Sequence, residues 1–121
     1  MSSDAPALIE QAIVHFLDEV PALVPLKLVL DVGLRHRSDV QSYTVELPGP
    51  KITKGVADHA RVRIEVVRSV FNGLAEKGHL KDWRHAFEVG DAKASGDSNM
   101  IKLIRQVVEK QEERNRLRKA H

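Results

Sequence analysis

The stretch ITKGVADHARVRIEV (residues 52–66), followed further on by AFEVGDAKASGD (residues 86–97), decides the fold. In the first segment Val62, Ile64 and Val66 alternate with Arg61, Arg63 and Glu65. One face of an extended chain is then apolar and the other charged, the signature of a half-buried strand, predicted over Arg61–Val67. In the second segment Gly90 leads into a small strand over Asp91–Ser95, and Gly96 with Asp97 turns the chain again. Between the two, Ser69 is placed to cap a short helix with Val70, Phe71 and Leu74, closing near Gly78. A second short helix, about Lys81–Glu88, carries Trp83, Ala86 and Phe87. The whole stretch reads strand, two helices, strand around turn glycines. It holds no residue set that obviously does chemistry.

Working outward, Ser2, Ser3 or Asp4 can cap a first helix with Pro6 in its opening turn. Leu8, Ile9, Ala12, Ile13, Phe16, Leu17 and Val20 fall on one face of it, and Pro21 and Pro25 end it. From Leu26 the period changes to two, with Leu26, Leu28, Leu30, Val32 and Leu34 on one side of a strand. Arg35–Asp39 reads as a turn. A second strand follows, with Tyr43, Val45 and Leu47 facing in and Ser42, Thr44 and Glu46 facing out. Pro48-Gly49-Pro50 breaks it, because proline cannot donate to a ladder. Lys51–Lys54 is predicted as a short edge strand before a turn at Gly55. After Gly96, a long helix capped by Asp97 or Ser98 presents Met100, Ile101, Leu103, Ile104, Val107 and Val108 inward.

Every strand has one apolar and one polar face, so the sheet is covered on one side only. That is a two-layer α+β architecture with all amphipathic helices on the same side. A ligand pocket would lie between the layers and have aliphatic walls.

At 121 residues the chain is one domain, able to bury about two thirds of its unfolded surface. Aromatics make up only 4%, so Val, Leu and Ile must fill the interior. With no cysteine there is no disulfide, thiol nucleophile or thiolate metal site. The N-terminus lacks the basic and apolar regions of a signal peptide, and no apolar run approaches the roughly 20 residues that span a bilayer, so a cytoplasmic protein is expected. The net charge of +2 is concentrated in a basic helical tail at about residues 109–121. There Lys110, Arg114, Arg116, Arg118 and Lys119 interleave with Glu109, Glu112 and Glu113, and Glu112 is spaced to pair with Arg116. The tail reads as a solvated helix end, with transient contact to an anionic membrane as the functional alternative. Nucleic acid is not an expected partner, because no aromatic residues are interleaved for base stacking.

Between about Leu26 and Val108 the chain resembles the sterol carrier protein type 2 domain family. The resemblance rests on Lys54, Gly55, Ala57, Asp58 and Ala60, and on the later group Ala86, Phe87, Gly90, Lys93, Gly96 and Asp97, in that order and spacing. It implies a five-stranded, mainly antiparallel sheet with helices over one face. It also implies a tunnel between the layers for sterols, fatty acyl chains, acyl-CoA or quinone precursors. One departure stands out. The inward positions of the last strand are Ala92 and Ala94, where the family usually has bulky aliphatics. Either Trp83, Phe87 and Met100 lean into the space, or that space belongs to a pocket.

The candidate ligand-binding residues are Leu30, Val45, Ile64, Phe71, Trp83, Phe87, Met100, Leu103, Ile104 and Val107. Trp83, flanked by Lys81, Asp82, Arg84 and His85, reads equally as a guard at a tunnel mouth and as a core anchor. No catalytic residue is assigned: there is no G-x-S-x-G elbow, no G-x-G-x-x-G and no P-loop. No metal ligand is assigned among the six histidines, since His79 and His85 are six apart and His59 is followed only by strand. Asp58-His59 and Asp82 with His85 read as local hydrogen-bonded pairs. No cofactor is expected. The leading expectation is a non-catalytic carrier that binds or transfers a hydrophobic small molecule or lipid. The alternative is a ligand-free interaction module docking onto a partner enzyme through its basic tail or its outer sheet face, formed by Asp31, Ser42, Thr44, Arg61, Arg63 and Glu65.

Overall fold

Pro21 and Pro25 mark where the first helix gives way, and the rest of the chain winds around the sheet that follows. The structure is a computed structural model and describes residues 5–57 and 59–119. Helix α1 (Ala5–Glu19) passes through a 3₁₀ turn (Pro21–Leu26) into strand β1 (Val29–His36). Then come β2 (Asp39–Glu46), β3 (Lys51–Lys54), β4 (Val62–Val67), helices α2 (Arg68–Lys77) and α3 (Leu80–Val89), β5 (Ala92–Gly96) and the long helix α4 (Ser98–Lys119). The first strand begins three residues later than its alternation suggests, because the proline-bearing 3₁₀ turn takes in Leu26 and leaves Lys27 left-handed, at φ 49°. The residues proposed to cap α1 (Ser2, Ser3 and Asp4) lie outside the described residues.

The architecture is two-layer α+β. Five strands run in the order β3-β2-β1-β4-β5, antiparallel except for the central parallel pair β1–β4. Helices cover one face. Ile9, Val20, Leu34 and Val45 are almost completely buried, and Gln11 of α1 donates to the Ala75 carbonyl of α2 at 3.0 Å. Gly96 is required where β5 ends: its φ is +113°, and a Cβ there would lie 2.3 Å from the Arg61 carbonyl oxygen. Asp97 then caps α4, its Oδ1 accepting the N–H groups of Asn99 (2.9 Å) and Met100 (3.2 Å).

Ser69 does not cap α2. Strand β4 runs into the helix without a linker, so the residue before the helix is Val67, held to the sheet by its N–H bond to the Asp91 carbonyl (2.9 Å). In α3 the residue preceding the helix is His79, whose N–H is accepted by Asp82 Oδ2 at 2.9 Å. Asp82 thus serves the helix start, where the sequence had suggested a partner for His85. The other expected pair, Asp58 with His59, falls outside the described residues.

The face of the sheet away from the helices is not simply solvated. To pass from the edge strand β3 to β4, the chain crosses over it. Thr44 Oγ1 donates to the Gly55 carbonyl at 3.0 Å, and the Ala57 N–H donates to Asp31 Oδ1 at 3.3 Å. Asp31 and Thr44 are each only 7% exposed, so the docking surface expected from them is already covered by the protein's own backbone. Beside the crossing, Arg63 reaches over Gly33, where a Cβ would meet its guanidinium at 2.6 Å, to donate to Ser42 Oγ at 3.3 Å. Arg35 Nε donates to Glu65 Oε2 at 2.8 Å. That hydrogen bond holds the Glu65 carboxyl below its ordinary pKa; desolvation opposes it, and the charges of Arg35, Arg63 and Lys93 add to it.

Candidate ligand cavity

The covered face of the sheet encloses a cavity of about 430 Å³. Its floor is made by Leu28, Leu30 and Val32 from the first strand and its approach, Val62, Ile64 and Val66 from β4, and Ala94 from β5. Alternation explains the choice, because every second side chain of a strand points to the same face. Helix α1 contributes Ile9, Ile13, Phe16 and Leu17, and α3 contributes Leu80, Trp83 and Phe87. Helix α4 closes the far side with Ile101, Ile104 and Val108, one and two turns apart on one stripe.

The two alanines of β5 have different fates. Ala92 is buried and belongs to the core, whereas Ala94 is exposed on the cavity wall, opposite Ile64 in the β4–β5 register. A branched side chain at Ala94 would occupy part of the cavity.

Six of the ten candidate residues come together on this wall: Leu30, Ile64, Phe71, Trp83, Phe87 and Ile104. The other four do not. Val45 sits in the solid core at 0% exposure. Met100 and Val107 pack partly buried against the core, and Leu103 is 40% exposed. The cavity stripe of α4 is 101, 104, 105, 108, 109 and 112, rotated about one position from the face its apolar residues suggest. Hydropathy marks an inner half of a helix and not which edge of that half meets open space. Trp83 is held inside by edge-to-face contacts with Phe16 (5.7 Å between centroids) and Phe71 (6.3 Å). The aromatic ring that reaches the exposed rim is Phe87.

The walls supplied by α1, together with Leu28 and Val62, have an apolar periodicity that is identical for core and cavity wall, and Leu80 lies just before the predicted start of the helix that carries it. The sequence reading missed the mouth. Arg84 and Glu88 of α3 and Arg105, Glu109 and Glu112 of α4 rim the cavity, and Arg84 donates to Glu112 between the two helices. Glu112 therefore pairs with Arg84 and not with Arg116. The described lining residues include no hydroxyl, thiol or imidazole. The arrangement is apolar inside and presents charge only at the rim.

No protein-family model matches the chain, and neither does any curated protein. Solved structures do. The chain superposes on the crystal structure of sterol carrier protein 2 like 2 from Aedes aegypti with a TM-score of 0.56 and 23% identity, over 85% of this chain and 92% of that one. The solution structure of palmitated SCP2L2 from the same organism gives a TM-score of 0.56 at 22% identity, over 83% and 93%. The fold is that of a sterol carrier protein 2-like domain. Within this sterol-carrier-like fold, the five-stranded sheet with one parallel pair and the one-sided helical layer are the shared frame. No helix among the described residues is long and apolar enough to cross a membrane.

Away from the cavity, the fold also brings together His15, Glu19 and His79, whose ligand-type atoms lie within 4.8 Å of one another. Histidine–histidine spacing along the chain does not reveal this group, because its nearest pair is a histidine with a glutamate at i,i+4 and its third member is sixty residues beyond that glutamate.

Proposed function

We propose that the protein is a non-catalytic carrier that binds a hydrophobic molecule in the cavity between sheet and helices. The ligand class is a fatty acyl chain, sterol, acyl-CoA or isoprenoid. The observation that carries this reading is the aliphatic and aromatic volume of about 430 Å³ left open beside Ala94. The cavity opens at its rim, so without an occupant its apolar walls stay in contact with water. An apolar occupant takes the place of that water, and each Å² of apolar surface withdrawn from water contributes about 25 cal/mol. The fold it shares with palmitated SCP2L2 supports an acyl chain as the first ligand to try.

Entry and release pass between α3 and α4, where Arg84 and Glu112 bridge the mouth beside Phe87. The protein acts in the cytoplasm, handing its cargo to a partner enzyme or to an anionic membrane that the basic end of α4 touches. The interaction-module alternative loses part of its surface, since Asp31 and Thr44 are covered by the chain's own crossing segment. The test is displacement of a fluorescent fatty acid from delipidated protein, together with native mass spectrometry of the freshly purified sample. Saturable binding at one site, and a co-purified lipid, are expected. Absence of binding for acyl, sterol and isoprenoid probes alike ends the carrier reading.

A further inference from the structure

The last turn of α1 meets the start of α3 beside the cavity wall, and three metal-ligating side chains converge there. His15 and Glu19 stand at i,i+4, the spacing that places two side chains on one helix face. His79, immediately before α3, reaches the same carboxylate. His15 Nε2 lies 3.5 Å from Glu19 Oε2, and His79 Nδ1 lies 3.2 Å from Oε1. The two imidazoles are edge to face, their centroids 5.6 Å apart. Glu19 Oε2 is shielded from solvent and has no hydrogen-bond partner among the described residues. A buried carboxylate oxygen without a partner is an unstable arrangement, and such groups call for an explanation.

We propose that His15, Glu19 and His79 form a binding site for a divalent transition-metal ion, with Zn²⁺ the best match. Two imidazoles and a carboxylate make up the three-ligand set of open zinc sites, in which water takes the fourth position. Nitrogen donors of this kind suit zinc, copper and nickel, while calcium and magnesium require more oxygen ligands than the site offers. Metal–ligand distances of about 2.0–2.2 Å put tetrahedral donor atoms roughly 3.4 Å apart. Each imidazole already stands near that separation from one carboxylate oxygen. Rotation of the two histidine side chains, both partly exposed, brings the nitrogens together. A cation there satisfies the stranded oxygen. It also ties α1 to α3, the two helices whose Phe16 and Trp83 meet edge to face on the cavity wall. The site is a structural brace and stands apart from the ligand reading.

The test is titration of untagged, chelator-treated protein with Zn²⁺ by calorimetry, paired with thermal melts. One saturable site is expected, with a rise in Tm of roughly 10 °C at about 100-fold excess of free zinc over Kd. Both are expected to vanish in the His15→Ala/His79→Ala double variant and to persist in a His36→Ala/His85→Ala control. Absence of saturable binding by the unaltered protein overturns the proposal. So does unchanged binding by the double variant, which puts the ion on other histidines. Should the double variant fail to fold, His15→Gln and His79→Gln decide singly: each is expected to raise Kd at least tenfold, and unchanged affinity in both overturns the site.

Discussion

The two ends of the same sheet are built to opposite ends. At one end, strand β2 and its neighbour β1 bury Val45 and Leu34 almost completely. At the other end β5 offers Ala94 where branched side chains would close the layer, and α3 and α4 stand off around the open volume. The difference teaches that a fold of 121 residues can divide its labour along the sheet. The solid end supplies stability and the open end supplies space.

The largest effect that could break this comparison lies at the solid end. Leu34→Ala is expected to cost about 2–5 kcal/mol in denaturant unfolding, because little around it can collapse into the gap. A comparable loss in Ile104→Ala, on the cavity wall, would erase the distinction; it is expected to lose well under half as much. Next comes Gly96→Ala, expected to destabilise by about 1–3 kcal/mol, since a side chain there is both left-handed and pressed on the Arg61 carbonyl. Ala94→Phe sharpens the comparison from the other side. It should leave stability within about 1 kcal/mol, because the ring enters existing space, while fatty-acid affinity falls at least tenfold in the displacement assay.

How much of this was legible follows from the kind of signal each feature leaves. Strict alternation in Val62, Ile64 and Val66 placed β4 within a residue, and the glycine pair around β5 placed the strand that lines the cavity. The proline-rich connection after α1 delayed β1, since a local 3₁₀ turn competes with extended chain at Leu26. The site was half legible. Ile64 faces inward by its alternation, but Val45 and Met100 do so equally, Trp83 reads as rim or core alike, and only the tertiary arrangement separates filled from unfilled space. Asp31 and Thr44 read as solvent-facing because alternation reports which side a residue points to. It carries no word of a chain segment that later crosses that side.

Smaller effects probe the rims. Arg84→Ala is expected to change stability by less than about 1 kcal/mol, the measure of an ion pair with one exposed partner. Its ligand dissociation, followed by stopped-flow fluorescence, should accelerate severalfold because the bridge between α3 and α4 is lost. The smallest effect is on the outer face. Glu65 has its pKa lowered in the folded protein, so its contribution to stability is present above the ordinary carboxylate pKa and drains away as pH falls through the folded value. Glu65→Gln should therefore lower stability at neutral and alkaline pH by no more than about 1 kcal/mol and flatten the acid limb by the same amount, the two proteins converging at low pH.

The central parallel pair has a consequence for the order of events in folding. Strands β1, β2 and β3 can zip through local hairpins, but Leu30 meets Val62, and Val32 meets Ile64, only after the chain has gone out to the sheet edge and returned. Such a pairing closes a long loop and is slow to be rewarded by contacts. Those four residues are part of the floor of the cavity. A chain that has formed only its hairpins has nowhere to hold a ligand, so cargo can stabilise only the completed state. A ligand held there would act mainly as a brake on unfolding and would add little speed to folding.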